Sequence, residues 1–407
     1  MIKDFEGFLS NNIRGMKRSA IREILKLTQR PDIISFAGGL PDPSLFPTDE
    51  LAEVSSEVLK TDGCIALQYG TTEGDPLLRK ILVERYRKQG INIEEKNLVI
   101  STASQQGLDL VSKIFLNPND VVICGLPSYL GALSAFLSYG AKIEGVLLDE
   151  YGMRSDKLEE KVLELKAKGI HPKFIYTIPD FQNPTGITMP NWRREEIIAI
   201  AEKYNLIILE DCPYRDVRFF GEVQKTMLEL DKSQRVIHLG TFSKVFVPGF
   251  RVGWVIASEE IVDKFVVAKQ ATDLCTPPFV QRISARFMEK GYFDKNLKII
   301  IEAYKAKQEH FTKCLEKYMP QGVSWTNPEG GLFIFLTLPE CINVIEFFDI
   351  ALEEKVAYVP GSAFYCNGKG LNTMRLNFSF MSKEKNEEGI IRLAKAISRE
   401  IERKSCK

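Results

Sequence analysis

From Asn97 onward, short apolar runs rich in β-branched residues alternate with longer stretches in which apolar residues recur every three to four positions. The first pattern predicts strands buried on both faces and the second predicts helices laid against a sheet, so their alternation predicts a doubly wound, largely parallel α/β fold. Seven strands are read this way: NLVIS (97–101), DVVICG (120–125), KIEGVLL (142–148), KFIYTIP (173–179), NLIILED (205–211), RVIHLG (235–240) and VGWVIA (252–257). Helical periodicity fills the intervals, for example 104–115 and 191–204. After Tyr292 the texture changes to a long charged helical stretch running through Lys317, followed by strand-like pieces at 331–338 and 374–378, which predicts a smaller α+β unit.

Ahead of the sheet lie a helical pattern at 20–29 and the segment ISFAGGLPDPSLFP, whose Gly and Pro content predicts an extended, irregular path. The expected division is a large domain of residues 46–290 and a small one built from 1–45 together with 291–407. A chain of 407 residues is long enough for two cores.

Composition narrows the classes of function. Lys plus Arg and Asp plus Glu both total 54, so the basic excess that a phosphate backbone demands is missing and nucleic acid is excluded as the expected partner. No apolar run approaches a membrane span, and the start MIKDFEGFLSNN has no leader-like apolar stretch, so the expectation is a cytoplasmic protein with no membrane partner. The eight cysteines contain no Cys-x-x-Cys pair and the histidines at 171, 238 and 310 are far apart, so neither a metal site nor a disulfide framework is expected.

Candidate chemistry concentrates where strands end. In TFSKVFVPGFRVGW (241–254), Lys244 follows a strand, with Thr241 and Ser243 before it and Arg251 after it. A lysine that attacks an aldehyde needs a lowered pKa, and a phosphate beside it needs hydroxyl and guanidinium donors. Asn183 in NPTG and Asp211 and Tyr214 in DCPY follow the strands KFIYTIP and NLIILED, at the carboxyl edge where open α/β sheets bind ligands. Taken singly, NPTG is also ordinary turn chemistry and Asp211 a simple strand end. Ser104 and Gln105 open a helix after NLVIS, where N–H groups and the helix dipole favour an anion; Ser104 as a mere helix cap is the bland alternative.

Taken together these motifs, with LQYGTTEGDPLLR, PSYLGA, YVPGSAFY and NTMRLNFS, make the chain resemble the fold type I pyridoxal 5′-phosphate (PLP) dependent aminotransferases of class I/II, in the branch of 2-aminoadipate and kynurenine aminotransferases. The resemblance implies that Lys244 attaches the cofactor, Asp211 pairs with the pyridine nitrogen, and Asn183 and Tyr214 contact the ring oxygen. It further implies that Ser104, Gln105, Thr241, Ser243 and Arg251 hold the phosphate, with Tyr129 against the ring. Tyr69 would reach the neighbouring subunit's site in a homodimer. Arg375 would bind the substrate α-carboxylate, with Gly38 and Gly39 allowing close backbone approach.

The implied reaction is a ping-pong transfer of the amino group of an L-amino acid (2-aminoadipate, glutamate, aromatic or branched-chain) to a 2-oxo acid, with 2-oxoglutarate expected. Arg22 matches the position that can meet a distal carboxylate, or it is an exposed helix arginine paired with Glu23. A PLP-dependent β-lyase on the same site, or a ligand-sensing regulator with this domain, are the alternatives. Two positions depart from the family pattern: Thr241 stands where serine is common and Ala103 where glycine is common. An alanine there calls for a negative φ.

Overall fold

The computed structural model describes residues 5–16 and 30–404. The helical pattern at 20–29, and Arg22 with it, lies outside the described residues. In chain order the strands are β1 (Ile34–Ser35), β2 (Leu98–Ser101), β3 (Val121–Leu126), β4 (Lys142–Asp149), β5 (Gly152–Met153), β6 (Phe174–Thr177), β7 (Ile207–Asp211), β8 (Val236–Thr241), β9 (Gly253–Ile256), β10 (Ser324–Trp325), β11 (Phe333–Thr337), β12 (Val356–Ala357), β13 (Val359–Pro360) and β14 (Thr373–Asn377).

All seven expected strands form, and they join one sheet in the order β2-β9-β8-β7-β6-β3-β4-β5. The sheet has eight strands and not seven, because β5 turns back antiparallel onto the end of β4. Two residues are too few to show a period, so that strand left no signal in the pattern. Strands β8, β7, β6, β3 and β4 run parallel, whereas β9 is antiparallel to both β8 and β2.

Successive strand residues point to opposite faces, and both faces are buried. Thus Val122, Cys124, Phe174, Tyr176 and Leu239 enter one core, while Val121, Ile123, Ile175, Ile208 and Val236 enter another. The helices Ala103–Phe115 and Asn191–Lys203 form within a residue of their expected bounds and cover these faces.

C-terminal to the large sheet, the helix Tyr292–Tyr318 leads to an antiparallel four-stranded sheet, β10-β11-β14-β13, and to the helix Lys383–Lys404. The irregular N-terminal segment is tied to this region: β1 pairs parallel with β12, and Phe36 packs edge-on against Phe311. Among the described residues six cysteines are free thiols. Cys341 is disulfide-bonded, which the cysteine spacing did not indicate.

Candidate active site

The topology brings one edge of the large sheet to a common line. β2, β3, β6, β7 and β8 all end there, and β9, being antiparallel, begins there. The chain order reverses between β3 and β6, which opens a crevice at that edge. Ala103, Tyr129, Asn183, Asp211, Lys244 and Arg251 each lie at or shortly beyond one of these ends.

Asp211 closes β7 and is almost wholly buried. The Tyr176 hydroxyl donates to its Oδ2 at 2.9 Å, while Oδ1 has no hydrogen-bond partner among the described residues. Burial pushes this carboxyl up to about 7, against the lowering effect of the Tyr176 bond and of His238 nearby. A buried acceptor without a donor is costly, so the position calls for an N–H or cationic partner. Lys244 donates from Nζ to the Gly39 carbonyl at 2.7 Å. Burial, then the positive charges of Arg375 and Arg251, lower its ammonium to about 8, so free amine becomes the main form only as pH rises past that value.

Arg375 sits in the middle of β14, opposite Phe335 on one side and Val359 on the other. Its guanidinium donates from Nη1 to Asn183 Oδ1 at 2.9 Å and from Nη2 to the Ala37 carbonyl at 2.7 Å, and Nε has no hydrogen-bond partner among the described residues. The ring of Phe333 lies 4.1 Å from the guanidinium carbon, and burial lowers the group to about 10. Asn183 in turn donates from Nδ2 to the Tyr214 hydroxyl at 3.3 Å. Burial raises the Tyr214 phenol, so it stays protonated.

The turn from β2 into the helix Ala103–Phe115 corrects an expectation. Ala103 has φ of 61°, in the left-handed region, where a negative value was expected. The β-carbon costs on the order of 1–2 kcal/mol in that conformation. Surrounding contacts hold it: Ser101 Oγ donates to the Ala103 carbonyl at 3.0 Å, and Thr102 N–H to Gln106 Oε1 at 2.7 Å. Gly253 makes room opposite, since a β-carbon there would lie 2.7 Å from the Ala103 backbone. Ser104 is not the cap. Thr102 takes that position without its side chain capping a helix N–H, which places Ser104 and Gln105 in the first turn, where N–H groups lack helical acceptors.

Gln105 donates to the Gly131 carbonyl at 3.0 Å and accepts from the Tyr129 hydroxyl at 3.3 Å, joining the two helix starts. Thr241 Oγ1 donates to the Val252 carbonyl at 3.0 Å and accepts from the Ser243 N–H at 3.1 Å. Ser243 Oγ, at 2.9 Å, is a second acceptor for the same Thr241 hydroxyl proton. Arg251, also left-handed at φ 54°, reaches Ser243 Oγ at 3.4 Å.

The residues singled out in the sequence thus converge at one edge, with two exceptions. Arg22 lies outside the described residues, and Tyr69 is 81% exposed. Sequence reasoning missed Tyr176, which looks like any strand aromatic until β6 is laid beside β7. It also missed a buried brace behind the helix start, where Lys269 Nζ donates to Asp273 Oδ1 at 2.7 Å and to Gln106 Oε1 at 2.9 Å. Thr102 donates to the same aspartate at 3.0 Å. Nothing in the local sequence marks these residues.

Residues 33–393 match the family model for aminotransferase class I and II. The chain is 45% identical over 401 residues to aromatic-amino-acid aminotransferase 1 of Thermococcus litoralis, covering 98% of this chain and 96% of that protein. It is 40% identical to the 2-aminoadipate transaminase of Thermus thermophilus, with 94% of each chain covered. Among solved structures it superposes on a kynurenine aminotransferase of Pyrococcus horikoshii, crystallised with PMP, with a TM-score of 0.95 at 43% identity and 98% of both chains covered.

Proposed function

The chain belongs to the class I and II aminotransferases, and from that premise we propose how its residues carry out transamination and which substrates they accept. The enzyme is PLP-dependent. The residues fit that cofactor: Asp211 offers a buried, unpartnered oxygen, Lys244 an amine with a lowered pKa, and the β2 and β8 turns hydroxyl, amide and guanidinium donors. When bound, PLP supplies an aldehyde for an amine to attack and a protonated pyridine ring that draws electrons from the substrate's α-carbon.

In this reading Asp211 Oδ1 holds the proton on the ring nitrogen, with Tyr176 fixing the carboxylate from Oδ2. Asn183 and Tyr214 bond the ring oxygen, and Tyr129 lies against the ring. Ser104, Gln105, Ser243 and Arg251 hold the phosphate, and Thr241 positions Ser243. Arg375 takes the substrate α-carboxylate, preset by Asn183, Ala37 and Phe333. The backbone at Gly39 is proposed to approach the substrate; a β-carbon there would stand 3.4 Å from the Phe333 ring, an ordinary contact. Lys244, as a buried amine with a lowered pKa, would take the proton from the substrate's α-carbon. The observation that carries the reading is the buried Asp211 Oδ1, without a hydrogen-bond partner among the described residues, at the end of β7 on the sheet edge that Lys244 follows.

The proposed donors are aromatic amino acids, kynurenine, 2-aminoadipate, glutamate and branched-chain amino acids, with 2-oxoglutarate as acceptor in a ping-pong cycle. The similarity to aromatic-amino-acid, kynurenine and 2-aminoadipate aminotransferases supports the first three donors, and Arg22 is the candidate for reading a distal carboxylate. The proposed active unit is a homodimer in which Tyr69 enters the neighbouring site. Ile65, Leu67 and Tyr69, exposed along one short stretch, support a second copy as their cover. The division at 46–290 and 1–45 with 291–407 is part of the same reading, supported by the β1–β12 pairing. A cytoplasmic setting belongs to the same reading.

The test is a panel of amino acids assayed on the purified holoenzyme with 2-oxoglutarate and with pyruvate. Release of ammonia and pyruvate without any oxo acid would point to lyase chemistry. For Arg22→Ala, a KM increase confined to dicarboxylic substrates is expected, and equal losses for leucine and glutamate would remove the distal-carboxylate role.

A further inference from the structure

Far from the sheet edge, the helices Tyr292–Tyr318 and Lys383–Lys404 pack together and bring three side chains to one point. His310 and Cys314 lie one turn apart on the first helix and share a face; Glu387 faces them from the second. One ligand atom from each lies within 4.8 Å of the others. His310 Nε2 is 3.6 Å from Cys314 Sγ and 3.7 Å from Glu387 Oε2. The nitrogen–oxygen distance is too long for a good hydrogen bond, which wants about 2.7–3.2 Å. The sulfur–nitrogen distance matches the edge of about 3.5 Å expected in a tetrahedron around a cation bound at about 2.0–2.3 Å, and the nitrogen–oxygen distance exceeds its edge of about 3.3 Å by only a few tenths of an ångström.

We propose that His310, Cys314 and Glu387 form a binding site for a four-coordinate divalent cation that accepts thiolate, of the Zn²⁺ class. The ligand set of soft sulfur, imidazole and carboxylate selects that class over Mg²⁺ or Ca²⁺, which take oxygen alone. Glu387 is preset for it: the Tyr318 hydroxyl donates to Oε1 at 2.8 Å, which leaves Oε2 turned to His310. Such an outer contact fixes the orientation of a ligating carboxylate. The Lys317 ammonium stands 4.0 Å from the same Oε1, on the far oxygen from the cluster. Cys314 is buried, whereas the His310 and Glu387 side chains are 30% and 37% exposed, so water can reach the fourth position.

A second cluster, Glu210, Cys212 and His238, shows what a closed arrangement looks like. There His238 bonds Glu210 at 2.8 Å and Tyr86 at 2.9 Å, and Glu210 also accepts from the N–H groups of Met227 and Leu228. Its hydrogen bonds are complete without an ion. The histidine and cysteine spacing along the chain gave no hint of the His310 site, because its carboxylate arrives from a helix more than seventy residues away.

The probe is Co²⁺ titrated into chelator-stripped holoenzyme, because tetrahedral cobalt absorbs at the red end of the visible spectrum and a thiolate ligand adds a charge-transfer band in the near ultraviolet. The expected result is one Co²⁺ per chain, displaced by Zn²⁺, with its thiolate signature lost in Cys314→Ser. His310→Ala, at a partly exposed position that the fold tolerates, weakens binding by more than about tenfold, and Tyr318→Phe by about tenfold. Cys64→Ser, on an exposed thiol elsewhere, leaves the titration unchanged. The proposal is overturned if wild type shows no saturable thiolate-coordinated cobalt, or if the spectrum survives in both Cys314→Ser and His310→Ala.

Discussion

Replacing Asp211 by Asn should stabilise the cofactor-free protein while weakening its hold on PLP, and the stabilisation should depend on pH. Asn keeps the shape of the side chain and still accepts the Tyr176 hydroxyl, but it removes the buried charge. The wild-type carboxyl titrates near 7 in the fold, against 3.8 when unfolded, a raised value caused chiefly by burial. Between these two values the folded state binds more protons than the unfolded state, so wild-type stability falls as pH rises through that window and reaches its full loss above 7. A displacement of roughly three units corresponds to about 4 kcal/mol at most, and the part gained between about pH 5 and about pH 8 is about 2–3 kcal/mol. The Asn amide has its own unpartnered atom, but that cost does not vary with pH and cancels in the comparison. The assay is guanidinium unfolding of cofactor-free wild type and Asp211→Asn at both pH values. A stability gap that widens in favour of Asn at the higher pH is expected; a gap of the same size at both would refute the reasoning. Adding PLP should reverse the order, since the ring nitrogen relieves the charge only in wild type.

The remaining predictions concern the other walls of the site. The rate at which cofactor-free protein captures PLP covalently should climb as pH rises through about 8, where the Lys244 amine becomes free, and Lys244→Ala should retain no cofactor after borohydride reduction. Arg375→Lys loses the planar donor pair and should lower kcat/KM for every amino acid by about thirtyfold or more, matching the 2–5 kcal/mol for truncating a buried charge pair. An unchanged kcat/KM with either aromatic or dicarboxylic substrates would remove its carboxylate role. Gly253→Ala drives a β-carbon into the Ala103 backbone and should destabilise the protein by about 1–3 kcal/mol and speed PLP loss, read by thermal melting and by cofactor dissociation.

The readability of this chain follows from what each signal depends on. A buried parallel strand is specified by its own apolar run and a helix by its own period, so β2, β3, β4, β6, β7, β8 and β9 were all visible locally. The motifs Asn183-Pro184-Thr185-Gly186, Asp211 to Tyr214 and Ser243-Lys244 were visible for the same reason: each is a short stretch placed by the strand before it. The left-handed Ala103 was not, because its φ is imposed by β9 lying across the turn with Gly253 facing it. Tyr176 could not be told from a core aromatic, and Lys269 and Asp273 could not be told from a surface ion pair, until neighbouring elements were in place.

The sequence by itself determined the local matters: which segments are strands and helices, that they alternate into a parallel α/β sheet, and which lysine, aspartate and arginine stand at the ends of its strands. Only the tertiary structure decided what depends on distant segments meeting. It gave Asp211 an unpartnered oxygen and a raised pKa, and it lowered Lys244 by burial and by the charges of Arg375 and Arg251. It also brought Glu387 to His310 and Cys314. Desolvation, close approach and the sum of nearby charges are properties of the packed whole, and no window along the chain contains them.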